Sequence, residues 1–173
     1  MCLEPGVSWE DGFCDGLAKS RIFVPILSRA ALKHRTESRQ NLEQLTAESP
    51  CDNLLLEFRL SLELMSRGLI DRIYPVMIGD CVMDEETREG VYSNYFGSGC
   101  HPSLKGKVVV QSVEQQLEEH LNRLCLGTPL QVDMSVSSIL QEITKNQGKL
   151  FEGSPQEALA AICSDVLKMK AKF

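Results

Sequence analysis

RIFVPIL at residues 21–27 and IDRIYPVMIG at residues 70–79 are the two stretches that decide the fold of this chain. The first is an apolar run too short for a helix of its own, which is typical of strands buried on both faces of a parallel sheet, and the second repeats its pattern. Pro25 and Pro75 stand at the same relative place in the two runs, although proline cannot donate to a central ladder. This shared pattern predicts that both runs belong to one sheet.

Helical patterns alternate with these strands. Residues 9–19 are predicted to form a short helix, and NLLLEFRLSLELMSR at 53–67 carries two apolar stripes that predict a helix buried on more than one side. A Val-rich strand is predicted at 107–111, followed by a helix at 113–126. Because strands alternate with helices, we expect right-handed crossover units and a parallel α/β sheet with flanking helices.

The pattern changes after residue 127. Helices are predicted at 135–146 and from Ser154 onward, with no further strand between them. Because 46 residues are too few to bury a core alone, residues 128–173 are predicted to be a helical extension that docks on the sheet. The expected organisation is therefore a domain at 1–127 with an extension at 128–173.

Composition excludes several classes of function. The chain has 173 residues, a net charge of −6 and scattered basic residues, which argues against a nucleic-acid partner. No apolar run approaches the roughly 20 residues of a membrane span, and the N-terminus lacks the layout of a signal peptide, so a cytoplasmic location is expected. Seven cysteines without C-x-x-C spacing predict reduced thiols and no metal site.

The order of elements resembles the TIR (Toll/interleukin-1 receptor) domain family over about residues 1–127. In that family a Pro-Gly loop leads to a short helix, a Val-Pro strand, a helix bearing a functional Glu, and a further Pro-containing strand. The matching segments are Leu3-Glu4-Pro5-Gly6, 9–20, 22–28, 53–67 and 73–78. The resemblance implies a flavodoxin-like parallel sheet of strand order 2-1-3-4-5.

Only strands 3, 4 and 5 of that order have counterparts in this chain. We therefore expect a partial or N-terminally truncated TIR-like domain, with the first two strands missing. The edge of strand 3, at 22–28, is then expected to be unpaired and apolar, which favours aggregation or pairing with another chain.

The resemblance implies two classes of function. One is a signalling module that binds other TIR domains or itself through the loop formed by Leu3, Glu4, Pro5 and Gly6, giving a homo-oligomer. The other is an enzyme that cleaves NAD⁺ and releases nicotinamide, using a Glu on the third helix, with NAD⁺ as a substrate and no resident cofactor. The first class is the expected function, and NAD⁺ hydrolysis is the alternative.

Glu57 and Glu63 compete for the role of that glutamate. Ligands of parallel α/β sheets bind beyond the carboxyl ends of the strands, where each following helix begins, and Glu57 lies nearer that end of its helix. A carboxylate there can stabilise the positive charge that builds on the ribose as nicotinamide leaves. Glu57 is therefore the predicted catalytic residue. The alternative is that Glu57 only favours the helix start electrostatically and that Glu63 is a solvated surface charge.

Four further residues are predicted to line the same crevice: Ser28, Trp9, Pro5 and Gly6. Each has a structural alternative, since Ser28 can cap the strand exit, Trp9 can belong to the core, and Pro5-Gly6 can simply shape a turn. The chain has no Gly-rich phosphate loop, so neither a Rossmann dehydrogenase nor a P-loop enzyme is indicated. A receiver domain ranks low because the strand ends in Ser28 rather than an acidic residue.

Overall fold

The computed structural model describes residues 9–28, 42, 44–86, 88, 90–93, 107–151 and 153–171, with the side chains of residues 9–11, 80 and 93 outside that description. The helices of these residues are α1 (Trp9–Ala18), α2 (Asn53–Ser66), α3 (Gln111–Arg123), α4 (Val136–Lys145) and α5 (Pro155–Lys170). The strands are β1 (Ile22–Phe23), β2 (Ile26–Ser28), β3 (Arg72–Ile73), β4 (Val76–Ile78), β5 (Asp80–Met83), β6 (Gly90–Ser93) and β7 (Lys149–Phe151). The predicted α/β class with parallel strands is confirmed, while the flavodoxin-like strand order and the two missing strands stay predictions.

The two apolar runs are neighbours in a parallel arrangement, as predicted. β1 pairs with β3, and β2 pairs with β4 in a register that places Ser28 opposite Ile78. β7 pairs in parallel with the other side of β4, so the order is β2-β4-β7. β5 and β6 form a separate antiparallel hairpin.

The prolines divide each run into two short strands without ending the pairing. The amides of Tyr74 and Val76 donate to the carbonyls of Phe23 and Pro25, both at 2.8 Å. Pro25 therefore faces the neighbouring run, and its missing N–H removes one rung on that side. The loss is limited to this rung, and the two runs pair on both sides of Pro25.

The strand predicted at 107–111 is wrong. Residues 107–110 lie outside any strand, and Gln111 already begins α3. Val110 instead stands at the N-cap of α3, and the carbonyl of Val108 accepts a hydrogen bond from the amide of Val136 at 2.8 Å. Val110 therefore precedes α3, and the Val108 carbonyl bonds the first residue of α4.

The strand beside β4 is β7, which lies within the extension predicted to be helical. Its approach depends on Gly148, because a Cβ atom at this position would stand 2.0 Å from the carbonyl oxygen of Pro75. The Lys149 amide then donates to that oxygen at 2.9 Å. The two helices predicted in 128–173 are present, as α4 and α5, and they flank this strand.

Helices cover both faces of the sheet. On one face Phe23, Leu27 and Ile73 pack with buried side chains of α1, α2, α3 and α4 in the larger core. On the other face Tyr74 and other strand residues pack against α5. The described residues on both sides of position 127 share the larger core, while the predicted domain division itself stays a prediction. None of the described helices is long and apolar enough to cross a membrane.

Candidate functional site

Glu57 lies in the half of α2 that is directed toward the carboxyl edge of the parallel sheet. Only residues 67–71 separate the end of α2 from the start of β3, so the helix runs opposite to the strands and begins toward the edge where they end. Asp52 caps this start, its carboxylate accepting a hydrogen bond from the Leu55 amide at 2.9 Å. Glu57 follows in the second turn and is half-buried.

The environment of Glu57 disfavours its charge. Burial, and secondarily the negative charge of Asp52, raise the pKa of Glu57 from 4.5 to about 7. Within the described part of the chain, no cationic side chain forms an ion pair with this carboxylate. A half-buried carboxyl that titrates near neutral pH is suited to proton transfer or to meeting a positive charge on a ligand.

Glu63 is a buried member of an ion-pair network, so the alternative that it is a solvated surface charge is wrong. Its side chain is 0% exposed, and it accepts hydrogen bonds from the Arg67 guanidinium at 2.8 Å and the Leu130 amide at 2.7 Å. Arg59 stands on its other side at 3.5 Å. Burial alone would raise the pKa of Glu63, but these three donors outweigh it and lower the pKa.

Arg59 extends the network to the next helix. It is 0% exposed, and its Nε lies 3.0 and 3.1 Å from the two carboxylate oxygens of Glu114 on α3. Its Nη2 donates to the carbonyl of Gln131 at 3.3 Å. Two arginines and two glutamates, Arg59, Arg67, Glu63 and Glu114, therefore balance one another's charge inside the protein.

The network fixes the connection between α3 and α4, which we call the clamp loop (residues 126–134). Arg67 donates to the carbonyls of Leu126 and Thr128, both at 2.6 Å. Glu114 accepts from the Met134 amide at 3.1 Å. Together with the bonds to Leu130 and Gln131, these contacts hold the loop backbone at five positions.

The other predicted site residues are only partly described. Ser28 ends β2 at the carboxyl edge, where the sequence placed it. Trp9 begins α1, but its side chain lies outside the described residues. Leu3, Glu4, Pro5 and Gly6 also lie outside them, so the predicted interaction loop stays a prediction.

The sequence reasoning missed Arg59, Arg67 and Glu114. A signal was available, because Arg59, Glu63 and Arg67 are spaced by four residues along a largely apolar helix and its C-cap. Glu114 gave no such signal, since its partner Arg59 is 55 residues away in the chain.

An open groove of about 580 Å³ lies between the first half of α3 and the clamp loop. Its lining residues are Gln111, Glu114, Gln115, Glu118, Pro129, Leu130, Gln131, Val132 and Asp133. Three of the nine are acidic and none is basic.

Neither metal ligation nor a disulfide is built into the described residues. They contain no group of three His, Cys, Asp or Glu side chains placed to hold a metal ion. The described cysteines are not joined by disulfides.

Comparison with protein-family models, curated proteins and solved structures found no match to this chain.

Proposed function

We propose that this chain is a TIR-like cytoplasmic signalling module that acts by homotypic contacts, with copies of itself or with other TIR domains. The observation that carries the proposal is the outer edge of the run at 22–28. Among the described strands, β1 and β2 have neighbours on one side only, β3 and β4. An apolar edge strand offers backbone donors and acceptors to a strand from another chain.

The geometry of this edge supports the proposal. Since the carbonyls of Phe23 and Pro25 face the neighbouring run, the backbone groups of Ile22, Val24 and Ile26 face outward. The side chain of Ile26 is 55% exposed although it lies within a sheet strand. The parallel adjacency of the runs at 22–28 and 72–78 also agrees with the order that the TIR resemblance implies for strands 3 and 4.

Light scattering across protein concentrations tests the proposal. We expect the mass of the wild-type protein to rise with concentration, and Ile26→Lys to weaken this rise because a charge on an edge strand opposes pairing. Val82→Lys is the matched control, since Val82 is 57% exposed but lies on the separate hairpin. Substituting Pro5 and Gly6 is expected to weaken association as well. A monomeric mass at every concentration contradicts the proposal.

NAD⁺ hydrolysis is the second candidate function, and the half-buried Glu57 with its raised pKa favours it. In this role Glu57 acts as an ionised carboxylate that stabilises the positive ribose as nicotinamide leaves. Because the pKa of Glu57 is about 7, nicotinamide release is expected to increase as the pH rises through 7.

Nicotinamide release from NAD⁺ tests this second function. Glu57→Ala is expected to abolish release, while Glu119→Ala, which removes an exposed glutamate on α3, leaves it unchanged. Release that survives Glu57→Ala removes Glu57 as the catalytic residue. Absence of release from the wild-type protein at high concentration rules out the enzyme.

A further inference from the structure

The clamp loop presents apolar side chains to solvent from a fixed backbone. Val132 is 90% exposed and Leu130 is 64% exposed, although the loop backbone is bonded to Arg59, Arg67 and Glu63. A surface that is ordered before a partner arrives loses less conformational entropy on binding. The loop is therefore well suited to be a preorganised contact surface.

The charge of the groove beside these side chains indicates which kind of occupant it would bind. Glu118 and Asp133 are exposed carboxylates on its walls, and none of the described residues that line it is basic. An occupant with an apolar side chain flanked by cations would match the groove in both polarity and charge.

The end of α5 has this chemistry. Leu167 is 66% exposed, and Lys168 and Lys170 beside it are exposed as well. We call these three residues the basic tip. Of the large apolar side chains exposed in the described residues, Leu167 is the one that directly adjoins an exposed lysine within a helix.

The groove and the basic tip lie on different sides of the molecule. α3 and the clamp loop belong to the layer that covers Phe23 and Leu27, whereas α5 covers the opposite face, packing near Tyr74. The tip of one copy therefore does not meet its own groove, and a second copy must supply it.

We infer that the groove of one copy binds the basic tip of the next, so that copies associate head to tail. This inference rests on the proposed homotypic function and adds a second contact to it, besides the edge of the run at 22–28. Leu167 would pack beside Leu130 and Val132 while Lys168 and Lys170 meet Glu118 and Asp133. Because the two surfaces differ, the contact is heterologous and propagates into an open chain unless its rotation closes a ring.

Charge reversal tests the pairing. One variant carries Glu118→Lys with Asp133→Lys, and another carries Lys168→Glu with Lys170→Glu. We expect each alone to associate about tenfold or more weakly than the wild-type protein, because like charges then face each other. Mixed in equal amounts, the two variants are expected to regain association, since each reversed surface meets its complement. Misfolding of either variant would not give this recovery.

The control and the outcomes separate this inference from the proposed function. Glu85→Lys with Glu86→Lys changes the net charge equally on the β5–β6 turn and is expected to leave association unchanged. Wild-type association that falls as sodium chloride is raised from 50 to 500 mM supports the charged contact. If the reversed variants associate like the wild type, or if mixing restores nothing, the inference is overturned while homotypic association stands. If the wild-type protein stays monomeric, the proposed function itself fails.

Discussion

Glu57 and Glu63 lie six residues apart on α2, yet their surroundings are opposite. Glu63 is fully buried among Arg59, Arg67 and the Leu130 amide, and its pKa is lowered. Glu57 is half-buried, forms no ion pair with a cation among the described residues, and has its pKa raised to about 7. One glutamate is stabilised as an ion by the fold, and the other is held in a setting that disfavours its charge.

This difference separates the structural role of Glu63 from the functional role that we propose for Glu57. A buried carboxylate that is paired with cations and hydrogen-bond donors links parts of the fold, as Glu63 links α2 to the clamp loop. A half-buried carboxyl with a raised pKa lowers stability when ionised, and such groups cluster at functional sites.

Removing the Glu63 carboxylate should have the largest effect on stability. Glu63→Ala leaves Arg59 and Arg67 without one of their buried partners, and we expect a loss of about 3–5 kcal/mol in the free energy of unfolding. Urea unfolding measures this loss. Glu57→Ala is the matched control on the same helix, with an expected change within about 1 kcal/mol. Equal losses in the free energy of unfolding for the two variants would show that Glu63 is no more important to the fold than Glu57.

Arg67→Lys should release part of the clamp loop. The lysine keeps the charge but cannot reach Glu63 and the carbonyls of Leu126 and Thr128 together, so we expect a loss of about 1–3 kcal/mol. Amide hydrogen exchange should become faster at residues 126–134 and stay unchanged in β4. Unaltered exchange in the loop would show that Arg67 does not hold it.

The two glutamates should make stability depend on pH in opposite directions. The raised pKa of Glu57 means that the folded state binds the extra proton between pH 4.5 and 7, so its contribution is favourable at acidic pH and is lost as the pH rises. The pKa of Glu63 is lowered in the folded state, so its charge stabilises the fold at any pH above its unfolded-state pKa. This stabilisation is lost as the pH falls below that value.

Glu57→Gln isolates the first of these effects. Because Glu57 is only half-buried, solvent screens the cost of its charge, and we expect this variant to be more stable than the wild type by about 1 kcal/mol at pH 8. At pH 4.5 the difference should vanish. Thermal unfolding at both pH values measures it, and a wild-type protein as stable as the variant at pH 8 would contradict the raised pKa.

Asp52→Asn should have the smallest effect. Asparagine caps a helix about as well as aspartate, so stability is expected to change by less than about 0.5 kcal/mol. Removing the negative charge of Asp52 should nevertheless lower the pKa of Glu57, because that charge is the second cause of its rise. A pKa of Glu57 that does not move would assign the whole shift to burial.

The sequence predicted the parts of this molecule that local pattern determines. The apolar runs at 21–27 and 70–79 predicted the two segments that pair in parallel, and helical periodicity predicted α2 between them. β7 was missed because it has three residues, no alternation, and a position set by Gly148 against Pro75.

Glu63 was misjudged for a related reason. Periodicity treats a charged residue as solvent-facing unless its partners are known, and one of those partners, the Leu130 amide, lies 67 residues away. The Arg59–Glu114 pair is likewise a contact between different helices. Such partners are set by tertiary packing, which no local pattern contains.

The division of roles on α2 is tested most directly by an NMR titration of the side-chain carboxyl carbons of Glu57 and Glu63 in one sample. We predict that Glu57 titrates with a midpoint of about 7 and Glu63 below its ordinary value of 4.5. Midpoints that coincide near 4.5, or that appear in the reverse order, would contradict the assignment of Glu63 to the fold and Glu57 to function.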